Sequence, residues 1–375
     1  MIDKKSRFSF WLVFIVAAIT LLPFCGSTDF TTKGEPREAV VAVSMLQQHN
    51  WILPTNNGVD IPYKPPFFQW CIATLSLPTG EVTPFTSRLP SAIALILMAS
   101  FMAAFIAKRK NSAVAIVAAG LMLTAFEVHR AGTNCRVDMV LTLFIVGALY
   151  LLYRWWESGC RQLPWLAILA MSGATLTKGP VGIVLPCFVM GVFLIVMAWR
   201  DHTRPATVCL HLFGQLLPAA LLACVLPGLW YAAAYQQGGD DFLWLVKDEN
   251  FGRFLGKMLV VTHANPWPYN ILMLIVGWLP WTLPLLLSLS SSASSFSSLS
   301  RALPVRRKLC SPLSKPCGSL WRSSPPFPLS SQLPLLCAGL PADSSPMSPT
   351  PKRSSLPSLP LSGSKNLPES LWSLL

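Results

Sequence analysis

The chain of 375 residues is 53% hydrophobic and only 12% charged, about half the charged fraction of soluble domains. That balance argues against a water-soluble enzyme, excludes a disulfide-stapled secreted domain and an acidic disordered protein, and leaves a polytopic membrane protein. The net charge of +13 and the 33 prolines need a separate explanation, because they concentrate in a different part of the chain.

Apolar runs near or above the ~18–20 residues that cross a bilayer recur through the first three quarters of the sequence. In chain order they are Phe8–Phe24, Leu89–Ala107, Ser112–Phe126, Met139–Tyr153, Leu163–Thr175, Val181–Trp199, Cys209–Tyr231 and Trp267–Leu289. Lys4, Lys5 and Arg7 before the first run resemble a signal-peptide flank, but no small-x-small cleavage pattern follows, so the run is read as an uncleaved anchor. With the N-terminus in the cytoplasm, eight spans put Lys108–Lys110, then Arg154 and Arg161, then Arg200 and Arg204 on the inner side. These short basic connections satisfy the positive-inside rule. The outer side receives two long loops, about Gly26–Arg88 and Ala232–Pro266, and short connections around Arg130–Asp138 and Thr177–Gly179.

Those outer segments gather Glu35, Arg37, Glu38 and Lys64, then Arg136 and Asp138, then Lys178, then Asp248, Glu249, Arg253 and His263. Taken singly, each has an ordinary role: helix capping for Glu35 and Glu38, an ion pair to Arg136 for Asp138. Ionisable groups converging on one membrane face from four connections point instead to a site. In the first loop, Pro36 is suited to the first turn of a helix, followed by the apolar pattern Val40, Val41, Val43, Met45, Leu46. Trp51–Pro54 and Tyr63–Pro66 read as extended aromatic segments, and the prolines after Lys64 hold that cation on an extended backbone.

From Ser288 to Leu375 about two thirds of the residues are Ser, Pro or Leu, a bias that cannot build a core. About half of the net charge lies there, and no run spans a bilayer. Two readings stand: a disordered basic tail against anionic headgroups, or a coding frameshift near residue 287. The second is preferred, because the last apolar pattern dissolves directly into this composition. The domain division expected is 1–287 as membrane body and 288–375 as low-complexity tail.

Glu35-x-Arg37, Met45-Leu46, Trp51-Ile52-x-Pro54 and Lys64-Pro65 together resemble the first periplasmic loop of the lipid-A aminoarabinose transferases. These group with the protein O-mannosyltransferases among polyprenyl-phosphate-dependent glycosyltransferases of the GT-C fold. Arg88-Leu89-Pro90-Ser91, Asp138, Thr177-Lys178-Gly179, Glu249-Asn250-x-x-Arg253-Phe254, His263 to Trp267 and Leu279-Pro280-Trp281 continue the resemblance in order. It implies an all-α polytopic bundle in a bacterial-type inner membrane. The sugar would pass, with inversion, from a polyprenyl phosphate to a lipid A, glycan or protein acceptor at the periplasmic face. Cations aimed at the leaving phosphate lower such a barrier, and Arg37, Lys64, Lys178 and Arg253 are the candidates. A carboxylate must take the acceptor's proton; Glu35 is the first choice, Glu38 and Asp138 the alternatives. Tyr63, Glu249, Asn250 and His263 are assigned to substrate binding.

The sequence departs from that family where its Asp-Glu pair becomes Gly34-Glu35, where Tyr63 replaces an acidic residue, and where Asn250 replaces a histidine. The last two changes weaken the case for the family's divalent metal, although Asp248, Glu249 and His263 are ligand types; no other cofactor is implied. Rival readings are a lipid-linked sugar transporter or flippase, and an inactive remnant of the transferase. The ten cysteines are scattered without a C-x-x-C pair and read as packing residues. Nothing suggests a nucleic-acid partner.

Overall fold

The computed structural model describes residues 4–32, 34–58, 64–160, 162–200, 214, 216–248 and 267–292, all within one compact unit. Among them there is no β-strand; the elements are helices joined by short turns. Tyr63, Glu249, Asn250, Arg253, His263 and the chain from 293 onward lie outside the described residues.

α1 (Lys4–Leu21) is the expected first span and runs straight into a 3-10 turn at Leu22–Phe24. α2 (Gly34–Gln48) carries the first-loop motif, with Pro36 in its first turn as expected. α3 (Phe67–Ser76) begins directly after Pro66 and buries Phe68, Gln69, Ile72, Ala73 and Ser76; Lys64–Pro66, within the segment read as extended, are not helical. Between α2 and α3, Asn50 accepts from the N–H groups of Ile52 and Leu53 at 3.2 and 3.1 Å. Two indoles clamp the same turn, Trp70 donating to the Trp51 carbonyl at 2.6 Å and Trp230 to the Ile52 carbonyl at 2.9 Å.

α4 (Pro84–Arg109) is the central post. Thr83 and Thr86 cap it reciprocally, and Pro84 sits where a missing N–H costs nothing. Its 26 residues reach about 39 Å at 1.5 Å per residue. Ser91, Ala92, Ala99, Ser100, Ala103 and Ala104 are all buried, and such small side chains let neighbouring helices approach closely in a membrane. α1 and α5 (Ser112–Thr124) rest on α4, and the Ser6 hydroxyl donates to the Ala104 carbonyl at 3.0 Å. α6 (Phe126–Thr133) bends away from α5 by 70°. α7 (Val137–Glu157), α8 (Trp165–Lys178) and α9 (Val181–Arg200) follow as a second layer, α7 packing on both α4 and α8.

Residues 216–247 form a long kinked span, of which α10 (Val225–Lys247) is broken at Gly239. α11 (Trp267–Gly277) and α12 (Thr282–Ser292) end the described chain. Five described helices are long and apolar enough to cross a membrane, six when the bent α5–α6 pair counts as one. Four of the eight expected spans differ in form. Ser112–Phe126 is the 13-residue α5 with α6 bent away behind it. The helix expected to end at Tyr231 runs on to Lys247, into the expected outer loop Ala232–Pro266. α8 lies between Pro164 and Gly179 and has 14 residues, about 21 Å, short of a ~30 Å hydrocarbon core. The expected Trp267–Leu289 span is two helices parted at Trp278–Trp281, where Pro280 has no N–H to continue the ladder.

Candidate active site

Glu35 stands in the first turn of α2 with its side chain fully buried, and Arg88 comes to it from the second turn of α4 at 2% exposure. Arg88 donates from Nε to Glu35 Oε1 at 2.9 Å and from Nη2 to Oε2 at 3.4 Å. The rest of its fork is taken by the carbonyls of Cys25, Thr28 and Asp29 at 3.0, 2.7 and 2.8 Å. Glu35 Oε1 also accepts from the Cys135 N–H at 3.0 Å, and Oε2 from the Thr31 N–H at 2.8 Å and the Thr31 hydroxyl at 3.2 Å. Burial pushes this carboxyl upward, but Arg88 and the N–H groups of Cys135 and Thr31 outweigh it and hold it down to about 2. Both oxygens are thus engaged by donors, the arrangement of a structural anchor. It ties the loop after α1, the start of α2, α4 and the α6–α7 corner into one knot.

Ser91, almost one turn beyond Arg88, completes the corner. Its hydroxyl donates to the Arg136 carbonyl at 2.9 Å and accepts from the Arg136 N–H at 3.2 Å. With Cys135 and Arg136 fixed in this way, α7 must start at Val137, and Asp138 occupies its first turn. The negative side chain there complements the positive end of the helix. Opposite it, α8 ends on Gly179 with φ 89° and ψ −159°, a region that only glycine enters without strain. That reversal aims Lys178 at Asp138, and the two form an ion pair, with the carboxylate half-exposed.

Glu38 lies one turn along α2 from Gly34, 6% exposed. Arg37 donates to its Oε1 at 3.2 Å, and Gln69 of α3 donates from Nε2 to its Oε2. Lys64 approaches from the segment before α3. Burial lowers its pKa, Arg37 and Lys178 lower it further, and Glu38 and Asp138 act in the opposite direction. Lys64 is therefore close enough to feel both carboxylates and both other cations. Arg37, Glu38, Lys64, Asp138 and Lys178 form one electrostatic cluster drawn from α2, the α2–α3 loop, α7 and α8.

Five residues expected at the site are thus brought together, and Glu35 is set apart in the neighbouring knot. Tyr63, Glu249, Asn250, Arg253 and His263 fall outside the described residues. The reading of single residues missed Arg88 as Glu35's partner and Gln69 as Glu38's. A charge in the first turns of an apolar span was the available signal for Arg88; a lone Gln in an aromatic stretch gave none. Among the described residues no group of three or more His, Cys, Asp or Glu converges. With three cations around two carboxylates, the described cluster does not offer a divalent metal its donor set.

The described residues form a multi-pass helical bundle of the GT-C fold, with charges gathered where α2, α3 and the α8–α9 turn meet. Residues 63–231 match the family described as dolichyl-phosphate-mannose-protein mannosyltransferase, a stretch that holds Lys64-Pro65, Arg88–Ser91, Asp138 and Thr177–Gly179 among the motifs read from the loops. The chain is similar to the undecaprenyl phosphate-alpha-4-amino-4-deoxy-L-arabinose arabinosyl transferase of Pectobacterium atrosepticum. The two are 30% identical over 289 residues, 75% of this chain and 49% of that protein. The enzyme of the same name from Shewanella sediminis is 28% identical, over 70% of this chain and 46% of its own length. Crystal structures of ArnT from Cupriavidus metallidurans, apo and bound to undecaprenyl phosphate, superpose with a TM-score of 0.54 at 20% identity. They cover 74% and 78% of this chain, and 49% and 51% of theirs. They share its fold. The chain spans about half the length of the curated relatives it matches.

Proposed function

We propose that this chain carries the donor site of an inner-membrane glycosyltransferase. It would move a sugar from a polyprenyl phosphate to an acceptor hydroxyl or similar nucleophile at the periplasmic face, with the N-terminus in the cytoplasm. The observation that carries the reading is the convergence of Arg37, Lys64 and Lys178 around Glu38 and Asp138. Lys64 is the informative member. Partial burial beside two other cations destabilises its charge, and an incoming phosphate would relieve that cost. Arg37, 48% exposed, and Lys178, 34% exposed, pair with Glu38 and Asp138 beside Lys64, so an anion entering there meets three cations, which suits a bisubstituted lipid phosphate.

In the reaction so read, the acceptor oxygen attacks the anomeric carbon as the bond from that carbon to the phosphate oxygen breaks. The departing polyprenyl phosphate gains a negative charge, and the three cations stabilise it where it develops. One displacement inverts the anomeric centre. The acceptor's proton goes to Glu38 or Asp138, because Glu35 has no oxygen to spare. The acceptor itself, whether lipid A, a glycan or a protein, follows only by likeness to the relatives.

The test is sugar transfer in membranes holding the full chain, with labelled sugar on undecaprenyl phosphate. Lys64→Ala is expected to cut kcat/KM by about 10²–10³, the range for one preorganised donor to developing charge, and to weaken binding of undecaprenyl phosphate. Glu38→Gln and Asp138→Asn separate the two bases: the true base loses about 10²–10⁴. Unchanged transfer and lipid affinity in Lys64→Ala would sink the reading.

A further inference from the structure

We infer that Gln69 is the positioning residue for the Glu38 carboxylate; this rests on the reading of Glu38 as a group of the transfer site. Gln69 faces inward from α3 at 4% exposure, and its Nε2 donates to Glu38 Oε2. Carboxylate oxygens offer acceptors, and the amide nitrogen is the end of Gln69 that faces them. The consequence falls on the other end: Gln69 Oε1 is buried and has no hydrogen-bond partner. Buried acceptors without partners are uncommon and costly.

Packing alone would favour methionine or leucine at this position, since either fills the space between α2 and α3 without an orphaned oxygen. What the amide supplies and those residues do not is one N–H held against Glu38. Arg37 also donates to Glu38, and it is 48% exposed and attached to the same helix. A side chain so exposed can leave Glu38 for an incoming phosphate; Gln69, closed in on all sides, cannot. When Arg37 turns to the donor lipid, Gln69 keeps the carboxylate in place for the acceptor's proton. Gln69 touches no substrate and acts through Glu38.

The experiment compares wild type, Gln69→Met, Glu38→Gln and the double variant in full-length chain. It measures kcat and KM for transfer from undecaprenyl-phosphate sugar, and the temperature at which buried cysteines become reactive to a maleimide. Gln69→Met is expected to lower kcat about 10- to 100-fold, the usual cost of a misplaced group, with KM for the donor lipid within about twofold. Its labelling temperature should stay close to that of wild type, because the orphaned oxygen leaves together with the N–H to Glu38 and the two effects oppose. In the Glu38→Gln background, Gln69→Met should change the rate no further, since the two act as one unit. An unchanged kcat, a drop in labelling temperature, or a full multiplicative loss in the double variant would each overturn the inference. Wild type inactive with every donor lipid would overturn the donor-site reading and this inference together. An active wild type with an indifferent Gln69→Met overturns the inference alone.

Discussion

Substituting Glu35 by Gln separates an anchor from a catalytic base. The change keeps the size of the side chain and removes its charge, leaving the Arg88 guanidinium buried at 2% exposure without its counter-ion. Breaking a buried pair from one side costs about 3–5 kcal/mol. A second route gives a similar figure. Burial raises the Glu35 carboxyl, but the Arg88 fork and the N–H groups of Cys135 and Thr31 bring it from 4.5 to about 2, which corresponds to about 3 kcal/mol of folded-state stabilisation. Because the folded value is depressed, this stabilisation is fully present above about pH 4.5 and disappears as pH falls toward 2.

The assay is maleimide labelling of Cys25 or Cys135, both buried beside the knot, each retained alone in a cysteine-free chain and heated in detergent. Glu35→Gln should lower the labelling midpoint markedly. Followed by tryptophan fluorescence, since thiols do not react with maleimide in acid, wild type should lose more resistance than the variant between about pH 4.5 and 2. Glu35→Gln with Arg88→Met, which removes both charges, should be more resistant than Glu35→Gln alone, since no buried charge is stranded. A Glu35→Gln chain with a wild-type midpoint and no transfer activity would refute this reasoning and return Glu35 to the role of base.

Two further changes test the frame around the site. Gly179→Ala forces a Cβ into φ 89°, ψ −159°, at about 1–3 kcal/mol of strain; a lower labelling midpoint and reduced transfer are expected, since the turn that aims Lys178 is disturbed, and an unchanged chain would contradict the placement of that turn. Arg109→Ala removes the contact of the guanidinium with the Phe105 ring at 3.7 Å and the ion pair to Glu157, at the opposite ends of α4 and α7 from Asp138. Such exposed contacts contribute about 1 kcal/mol or less each, so the midpoint should fall slightly and transfer should stay within about twofold of wild type.

What the sequence made legible follows from the range of the forces involved. Hydrophobic runs and their basic flanks are local, and they located α1, α4, α7 and α9 as spans and Asp138 and Lys178 at helix ends facing one side. Local patterns also carried the start of α2, through Pro36. The break at Trp278–Trp281 was written in Pro280 but masked by the apolar residues around it. The 14-residue limit on α8 was likewise written in Pro164 and Gly179, yet an apolar count over Leu163–Thr175 does not register where a helix must stop.

Glu35 and Glu38 show where local reading ends. They are three residues apart on one helix, both in its first turns, both acidic and both buried. No property of the α2 sequence says that the two differ. The difference lies in partners far along the chain. Glu35 meets Arg88, 53 residues on, and the Cys135 N–H, 100 residues on; Glu38 meets Gln69, 31 residues on. Arg88 is fixed by three carbonyls besides Glu35, whereas Glu38 is shared between a buried amide and a half-exposed arginine. A carboxylate saturated by rigid donors cannot take a proton without unfolding its surroundings. Glu38, held by a buried amide and by an arginine 48% exposed, is proposed to do so when that cation turns to the phosphate. The assignment of roles therefore rests on tertiary contacts, and the opposite assignment predicts opposite results for Glu35→Gln and Glu38→Gln in the same two assays.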